Sequence, residues 1–148
     1  MKINLGCGNI YMEGYVNCDI SKNVKADKYF DAREGLPFKD NEAEEIIVGC
    51  ILEQICSNED FIKVLNELWR VLESGGKLKG YVPNADFSCA FQDPMDCRRF
   101  NEQTWNYFNV DDNLYKEFGS NYGFKPWRDI DYKTNESGIM HFIMSPNK

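Results

Sequence analysis

The stretch KINLGCGNIYMEGYVNCDI, residues 2–20, holds two short apolar runs, a Gly-x-Gly turn and an acidic residue at the end of the second run. Lys2–Cys7 and Tyr15–Ile20 predict two buried parallel strands. This pattern opens a nucleotide-binding βαβ unit, but only residues 9–14 separate the turn from the second strand. A parallel crossover ordinarily takes about a dozen residues or more. We therefore expect the first crossover helix to be reduced or absent.

A short connection is physically sufficient for the return of the chain. A strand of about five residues is roughly 17 Å long, and about seven Cα steps reach roughly 25 Å. One face of the sheet beside the first two strands would then lack its helix, although parallel sheets are ordinarily covered on both faces. We expect the C-terminal segment, or a second copy of the chain in a homodimer, to cover that face.

The pattern of strands continues through the first half. Lys28–Ala32 predicts a weak third strand, and Glu44–Leu52 is a continuous apolar run typical of a central strand. Asn58 begins a segment with apolar residues at helical spacing, which we expect residues 73–76, ESGG, to end with a left-handed glycine. Lys77–Pro83 predicts the next strand.

The second half is less regular. Asn101 or Thr104 is suited to cap a short helix, and Lys125–Lys133 with Gly138–Ser145 predicts an antiparallel pair around the turn TNESG. No repeat, low-complexity tract or linker divides the chain. We therefore predict one α/β domain, residues 1–148, with a mostly parallel sheet and an antiparallel addition at its C-terminus.

Composition excludes several classes of function. A net charge of −7 argues against broad contact with nucleic-acid phosphates, and no apolar run is long enough for a membrane span. The chain starts directly in strand pattern, so we expect a cytoplasmic protein without a membrane partner. The sequence has one histidine and no CxxC pair, so we expect no metal site. We expect its six cysteines to be buried, reduced thiols.

Residues suited to ligand binding follow four of the predicted strands. In open α/β sheets, ligands bind at the carboxyl ends of the strands. Residues 6–9, Asp19, Asp31 and residues 49–51 all lie at such ends. A carboxylate in the position of Asp19 can accept hydrogen bonds from both ribose hydroxyls. Each feature alone also fits a structural role, a turn for the glycines or a cap for an aspartate.

These residues carry a resemblance to a known family. The segments INLGCGN (3–9), GYVNCD (14–19), DAREGLPFKDNEAEEIIVGCILEQ (31–54) and ELWRVLESGGKLKGYVPN (67–84) resemble the class I S-adenosylmethionine-dependent methyltransferases, especially small, short-looped ones. The resemblance covers residues 2–84, and DPMDCRRFNEQTWNYF (93–108) shares one further block. It implies a Rossmann-like, mostly parallel sheet of the class I methyltransferase type.

The resemblance also implies which residues surround the cofactor S-adenosylmethionine. They are Gly6, Cys7, Gly8 and Asn9 at the methionine part, Asp19 at the ribose, Ile20, Asp31 and Ala32 at the adenine, and Cys50 and Ile51 at the sulfonium side. This cofactor has no pyrophosphate, so the missing third glycine of a dinucleotide fingerprint disfavours NAD or a nucleotide sugar as the ligand.

Two departures from the family pattern concern catalysis. The family's Leu-Glu-His is Leu52-Glu53-Gln54 here, and the histidine of its Asp-Pro-x-His block is replaced by Asp96. The remaining candidates for a catalytic acid or base are Asp93, Asp96 and His141, with Glu53 or a tyrosine as further options.

Two functions therefore stay open. The first is methyl transfer from S-adenosylmethionine to a small molecule or a glycan, in which Arg98 and Arg99 could hold an anionic group of the substrate. The alternative is a non-catalytic module that binds the cofactor and has lost the family's histidines.

Overall fold

Seven strands form one sheet in a computed structural model that describes residues 1–148. The strands are β1 (Lys2–Leu5), β2 (Val16–Asp19), β3 (Lys28–Tyr29), β4 (Ala43–Gly49), β5 (Leu72–Pro83), β6 (Trp127–Thr134) and β7 (Ile139–Pro146). Their order across the sheet is β3-β2-β1-β4-β5-β7-β6. The first five strands pair in parallel, and β7 pairs antiparallel with both β5 and β6. The predicted α/β sheet with a C-terminal antiparallel addition is confirmed.

Helices are few and mostly short. The long helix is α1 (Asn58–Val71), and a π-helical turn (Tyr115–Gly119) leads into α2 (Ser120–Tyr122). The 3-10 turns are Ala32–Glu34, Leu52–Gln54, Ser88–Phe91 and Glu102–Tyr107. Asn101 caps the last of these through a capping box with Thr104, as the sequence predicted. None of the helices is both long and apolar enough to span a lipid bilayer.

The connection between β1 and β2 contains no helix, as predicted. Two buried asparagines, Asn4 and Asn17, stabilise this connection where a helix is absent. Asn4 Nδ2 donates to the carbonyl of Ile10 at 2.8 Å. Asn17 accepts from the amide of Met12 at 2.9 Å and donates to the carbonyls of Met12 and Tyr15 at 2.9 and 3.0 Å. Side-chain amides thus satisfy backbone groups that a helix would have paired internally.

Helix α1 covers one face of the sheet. Ser57 caps its first turn by accepting from the amide of Asp60 at 3.2 Å. Its buried residues recur at helical spacing and join the core with the inward residues of β1, β4 and β5: Phe61, Val64, Leu65, Leu68, Val71, Ile3, Leu5, Ile46, Val48 and Leu78. This burial explains why the apolar stripe read from the sequence forms a helix at this position.

The predicted glycine cap of α1 is wrong. The helix ends at Val71, and Leu72 is already extended because it pairs with Ala43 as the first residue of β5. Residues 73–76 form an irregularity in that strand, with Gly75 at a φ of +81°. The helix therefore ends where Leu72 begins to pair in the sheet, before Gly75 and Gly76.

The opposite face carries no helix, and its side chains are largely polar. Glu45 on β4 pairs with Lys79 on β5 at 2.6 Å and accepts a hydrogen bond from the hydroxyl of Tyr15, which raises the pKa of Tyr15 to about 12. His141 and Lys133 are exposed on the same face. We call this surface the open sheet face.

The C-terminal segment does not cover the open sheet face, so the first of the two expected covers is wrong. Strands β6 and β7 instead extend the edge of the sheet beyond β5. Polar side chains reduce the need for cover because they keep water as a partner. Cover by a second copy of the chain stays a prediction.

The cysteines differ from the expectation of uniformly buried thiols. Cys56 and Cys97 form a disulfide that closes a separation of 41 residues. Cys7 and Cys18 are buried free thiols, as expected, whereas Cys50 and Cys89 are free but not fully buried. Nowhere are three or more His, Cys, Asp or Glu side chains grouped to hold a metal ion.

Candidate functional site

A cavity of about 360 Å³ lies at the carboxyl ends of β1, β2 and β4. We call it the strand-end pocket. Most of the predicted cofactor residues line it: Gly6, Asp19, Ile20, Asp31, Ala32, Cys50 and Ile51. Phe30, Arg33 and Gln54 line it as well, although the sequence did not single them out for this role. The cavity lies within the size range of small-molecule sites, about 300–1,000 Å³.

Gly6 is required by the geometry of the first turn. Its φ is +68°, and a Cβ atom at this position would lie 2.3 Å from Cδ1 of Ile51. A side chain would therefore both strain the backbone and collide with the wall of the pocket.

Asp19 is held rigidly at the end of β2. One carboxylate oxygen accepts from the amide of Gly8 at 2.8 Å, and the other accepts from the amide of Ser21 at 2.8 Å. Each carboxylate oxygen can accept a second hydrogen bond. Asp19 can therefore receive two hydroxyl donors without giving up its present partners.

Asp31 combines a structural role with its place in the wall. It caps the turn Ala32–Glu34 by accepting from the amide of Arg33 at 2.9 Å. The Arg33 guanidinium also binds this carboxylate through both Nε and Nη2, at 2.6–3.1 Å. These hydrogen bonds hold the pKa of Asp31 below its ordinary value, so its carboxylate stays ionised and forms an ion pair with Arg33 in the wall of the pocket.

Cys7, Gly8 and Asn9 do not line the strand-end pocket. The Cys7 thiol is buried against the carbonyl of Lys25 at 3.6 Å, the Gly8 amide is bonded to Asp19, and Asn9 is exposed. Their contact with a cofactor stays a prediction.

Cys50 shapes the sulfonium side of the predicted site. It follows β4 with a φ of +51°, unusual for a residue with a side chain, and its amide donates to the carbonyl of Tyr81 at 3.1 Å. Desolvation of its thiol, together with the neighbouring Glu53, raises the pKa of Cys50 to about 12. The thiol is therefore protonated near neutral pH and is a poor nucleophile.

Two buried carboxyl groups lie behind this wall. Glu53 is 2% exposed and Asp96 is 9% exposed, and each has one buried oxygen without a hydrogen-bond partner. Burial raises the pKa of Glu53 to about 7, and the charges of Asp96 and Asp93 add to the effect. Burial and Asp93 also raise the pKa of Asp96. We call Glu53 and Asp96 the acid pair.

The acid pair is held together by the chain around it. The Glu53 carbonyl accepts from the amides of Cys97 and Arg98 at 3.0 and 2.9 Å, and Cys97 is disulfide-bonded to Cys56. Neither acid lines the strand-end pocket. Cys50, which contacts Glu53, and Gln54, which contacts Asp96, line that pocket instead.

The other two catalytic candidates lie elsewhere. Asp93 is exposed, beside the acid pair. His141 is exposed on the open sheet face, with its ring 5.6 Å from that of Tyr81, and lies outside the strand-end pocket. The pocket itself therefore has no histidine in its wall.

The whole chain is similar to solved structures of methyltransferases. A methyltransferase dependent on S-adenosylmethionine from Archaeoglobus fulgidus matches with a TM-score of 0.71 at 13% identity, over 97% of this chain and 85% of that one. One from Methanosarcina mazei matches with a TM-score of 0.59 at 13% identity, over 98% and 91%. One from Thermotoga maritima matches with a TM-score of 0.63 at 13% identity, over 97% and 80%.

No family model matches the chain, and no curated protein matches it either. The likeness is therefore one of fold. The agreement covers nearly the entire chain, including the antiparallel strands at its end. The chain has the fold of the class I S-adenosylmethionine-dependent methyltransferases, as its sequence predicted.

Proposed function

We propose that the protein binds S-adenosylmethionine in the strand-end pocket and transfers its methyl group to a small molecule or a glycan. The observation that carries this proposal is the convergence of Gly6, Asp19, Asp31 and Ile51 on one cavity. These residues come from four separate segments. The fold supports ligand binding at this edge because open α/β sheets bind ligands at the carboxyl ends of their strands.

The residues present fit this cofactor. Asp19 offers free acceptor positions to the ribose hydroxyls, and the missing side chain of Gly6 lets the ligand approach the backbone. Ile20, which is 61% exposed, and Phe30 supply apolar contact for a base ring. A negative net charge of −7 favours a small acceptor over a nucleic acid.

When bound, S-adenosylmethionine would supply a methyl group on a sulfonium sulfur: an acceptor atom attacks the methyl carbon in line, the carbon–sulfur bond breaks, and the demethylated thioether is the leaving group. The chain contributes mainly position and exclusion of water, through the wall that Cys50 and Ile51 form. An acceptor that must lose a proton also needs a base. Glu53 is the best-tuned candidate because its pKa of about 7 matches the optimum for a general base near neutral pH.

One observation favours the second candidate, a cofactor-binding module without turnover. Glu53 and Asp96 keep their free oxygens buried behind the pocket wall, and His141 lies outside it. A base must come within hydrogen-bond reach of the acceptor, directly or through one water. Without movement of Cys50 or Gln54, the acid pair stays out of that reach.

Calorimetry with S-adenosylmethionine and with its demethylated product tests the proposal. We expect the wild-type chain to bind both, and Asp19→Asn to bind about 10- to 100-fold more weakly because one charged acceptor is lost. Asp111→Asn, an exposed aspartate remote from the pocket in sequence, is the matched control. Absence of binding by the wild type would sink the proposal.

Turnover separates the two candidates. The wild type with S-adenosylmethionine and a panel of hydroxyl- and amine-bearing small molecules and glycans is assayed for the demethylated product by mass spectrometry. Product with any acceptor supports the enzyme. Tight cofactor binding without product across the panel supports the binding module.

A further inference from the structure

A second cavity, of about 340 Å³, lies beside the first turns of α1. It shares no lining residue with the strand-end pocket. Three phenylalanines that line it have rings in mutual contact, with centroid separations of 4.9–6.3 Å: Phe61, Phe108 and Phe124. These rings come from segments far apart in sequence. We call this cavity the arginine pocket because Arg98 and Arg99 also line it.

Arg98 is the unusual feature of its wall. The guanidinium stacks 4.1 Å from the centroid of Phe61, donates from Nε to the carbonyl of Ile55 at 3.1 Å and donates from Nη2 to Oδ1 of Asn58 at 3.0 Å. A guanidinium has five N–H groups. Three of them are therefore left without a partner in the chain.

No carboxylate neutralises this guanidinium. The ion pairs of the chain involve Arg33, Arg70, Arg128 and two lysines, and neither Arg98 nor Arg99 takes part in one. Arg98 is half-buried, and this burial lowers the pKa of its guanidinium from the ordinary value. Since the whole chain has a net charge of −7, this is a local exception in an acidic protein.

The pocket combines a half-buried cation that has no anionic partner with a wall of aromatic rings. A ligand that matches it has an anionic group and an apolar body. Three free donors in a planar fork match a carboxylate or a phosphate. The phenylalanine rings offer apolar contact to the body of such a molecule. The volume, near the lower end of ligand cavities, fits a molecule of one or two rings.

We propose that the arginine pocket binds a small organic anion with an aromatic body, its charge held by Arg98 and its ring held among the phenylalanines. This site is additional to the strand-end pocket. Ile55 links the surroundings of the two cavities, because its carbonyl accepts from Arg98 and the residue itself lines the strand-end pocket.

Titration with three probes of the same size tests this site: benzoate, benzyl alcohol and benzylamine. Binding is followed by the NMR shifts of backbone amides and of the Arg98 Nε–H group, with the full chain and no cofactor. We expect benzoate to bind about 10-fold or more tightly than benzyl alcohol, and benzylamine to bind most weakly. The shifts should map to residues 58–62, 98–108 and 122–124.

Two variants establish the cause. Arg98→Gln should weaken benzoate binding about 10- to 100-fold and abolish the preference for the anion, because a charged donor is lost. Arg128→Gln, an exposed arginine on β6, should bind like the wild type. Ile62 also lines the cavity. Ile62→Trp, which fills the cavity and keeps Arg98, should abolish binding of all three probes even if Arg98→Gln does not fold.

Equal affinity for the three probes, shifts that map elsewhere, or no saturable binding would overturn the proposal. The titration uses no S-adenosylmethionine. Its outcome is therefore independent of whether the strand-end pocket binds that cofactor. A repeat with the demethylated cofactor added checks independence directly, since both ligands should bind together.

Discussion

The side-chain amide of Asn4 donates to the side-chain carbonyl of Asn17 at 3.0 Å, inside the sheet between β1 and β2. Both residues are buried, and both also bond the connection that replaces the first crossover helix. The pair therefore does locally what a helix does elsewhere in this fold. It anchors the chain between the glycine turn and Asp19.

Removal of this anchor should destabilise the whole protein. Asn17→Ala leaves a buried N–H of Asn4 and the half-buried backbone groups of Met12 without their partner, at about 1–3 kcal/mol for each buried group. We expect the free energy of unfolding, measured by urea denaturation, to fall by about 3 kcal/mol. Asn9→Ala, at an exposed position of the same connection, should change it by less than about 0.5 kcal/mol. Equal effects of the two substitutions would refute this role.

A side chain at Gly6 should abolish cofactor binding. Gly6→Ala places a Cβ atom 2.3 Å from Ile51 at a φ of +68°, whereas Gly14→Ala meets a φ of +81° with no atom within 4 Å. Both substitutions strain the backbone, by roughly 1–3 kcal/mol. Only the first one deforms the pocket. Calorimetry should therefore detect S-adenosylmethionine binding by Gly14→Ala and none by Gly6→Ala, and binding by both would contradict the assigned site.

Glu53 should make the protein less stable as the pH rises. Its pKa is raised from 4.5 to about 7 in the folded state, so between these values the unfolded chain loses a proton that the folded chain retains. Stability should fall across this window by roughly 3 kcal/mol and level off above about pH 7. Asp96, whose pKa is also raised by burial and by Asp93, adds a change of the same sign.

Glu53→Gln isolates this contribution. The variant should lose most of the decline in unfolding free energy between pH 5 and about pH 7.5, as measured by urea denaturation at both values. Glu136→Gln, an exposed glutamate in the turn between β6 and β7, should keep the wild-type slope. An identical slope in all three proteins would show that Glu53 ionises normally.

The disulfide between Cys56 and Cys97 should stabilise the segment that carries Asp96. The disulfide closes a separation of 41 residues and so lowers the conformational entropy of the unfolded chain. In the loop-entropy description this stabilises the folded state by about 4 kcal/mol. We expect reductant to lower the unfolding free energy by about 2–4 kcal/mol. A variant with Cys56→Ser and Cys97→Ser should start at the lower value and not respond to reductant. A response in that variant would point to another thiol pair.

Much of the first half of the fold was open to prediction because its signals are local. The apolar runs of β1, β2 and β4 identify strands, and the few residues between β1 and β2 exclude a full helix. The order in which glycines and acids follow the strands predicts which residues meet, because parallel strands end at a common edge. Even so, the local glycine signal after α1 misplaced its end, since strand pairing of Leu72 with Ala43 took precedence.

Sequence patterns were enough to predict the sheet, the missing helix and most of the strand-end pocket. Three features became visible only in the folded chain: the burial of Glu53 beside Asp96, the pairing of Cys56 with Cys97, and the position of Arg98 among aromatic rings. Each of these depends on contacts between segments about 40 residues apart, and desolvation depends on everything packed around a group. Local sequence patterns therefore predict neither these long-range contacts nor the desolvation of a buried group.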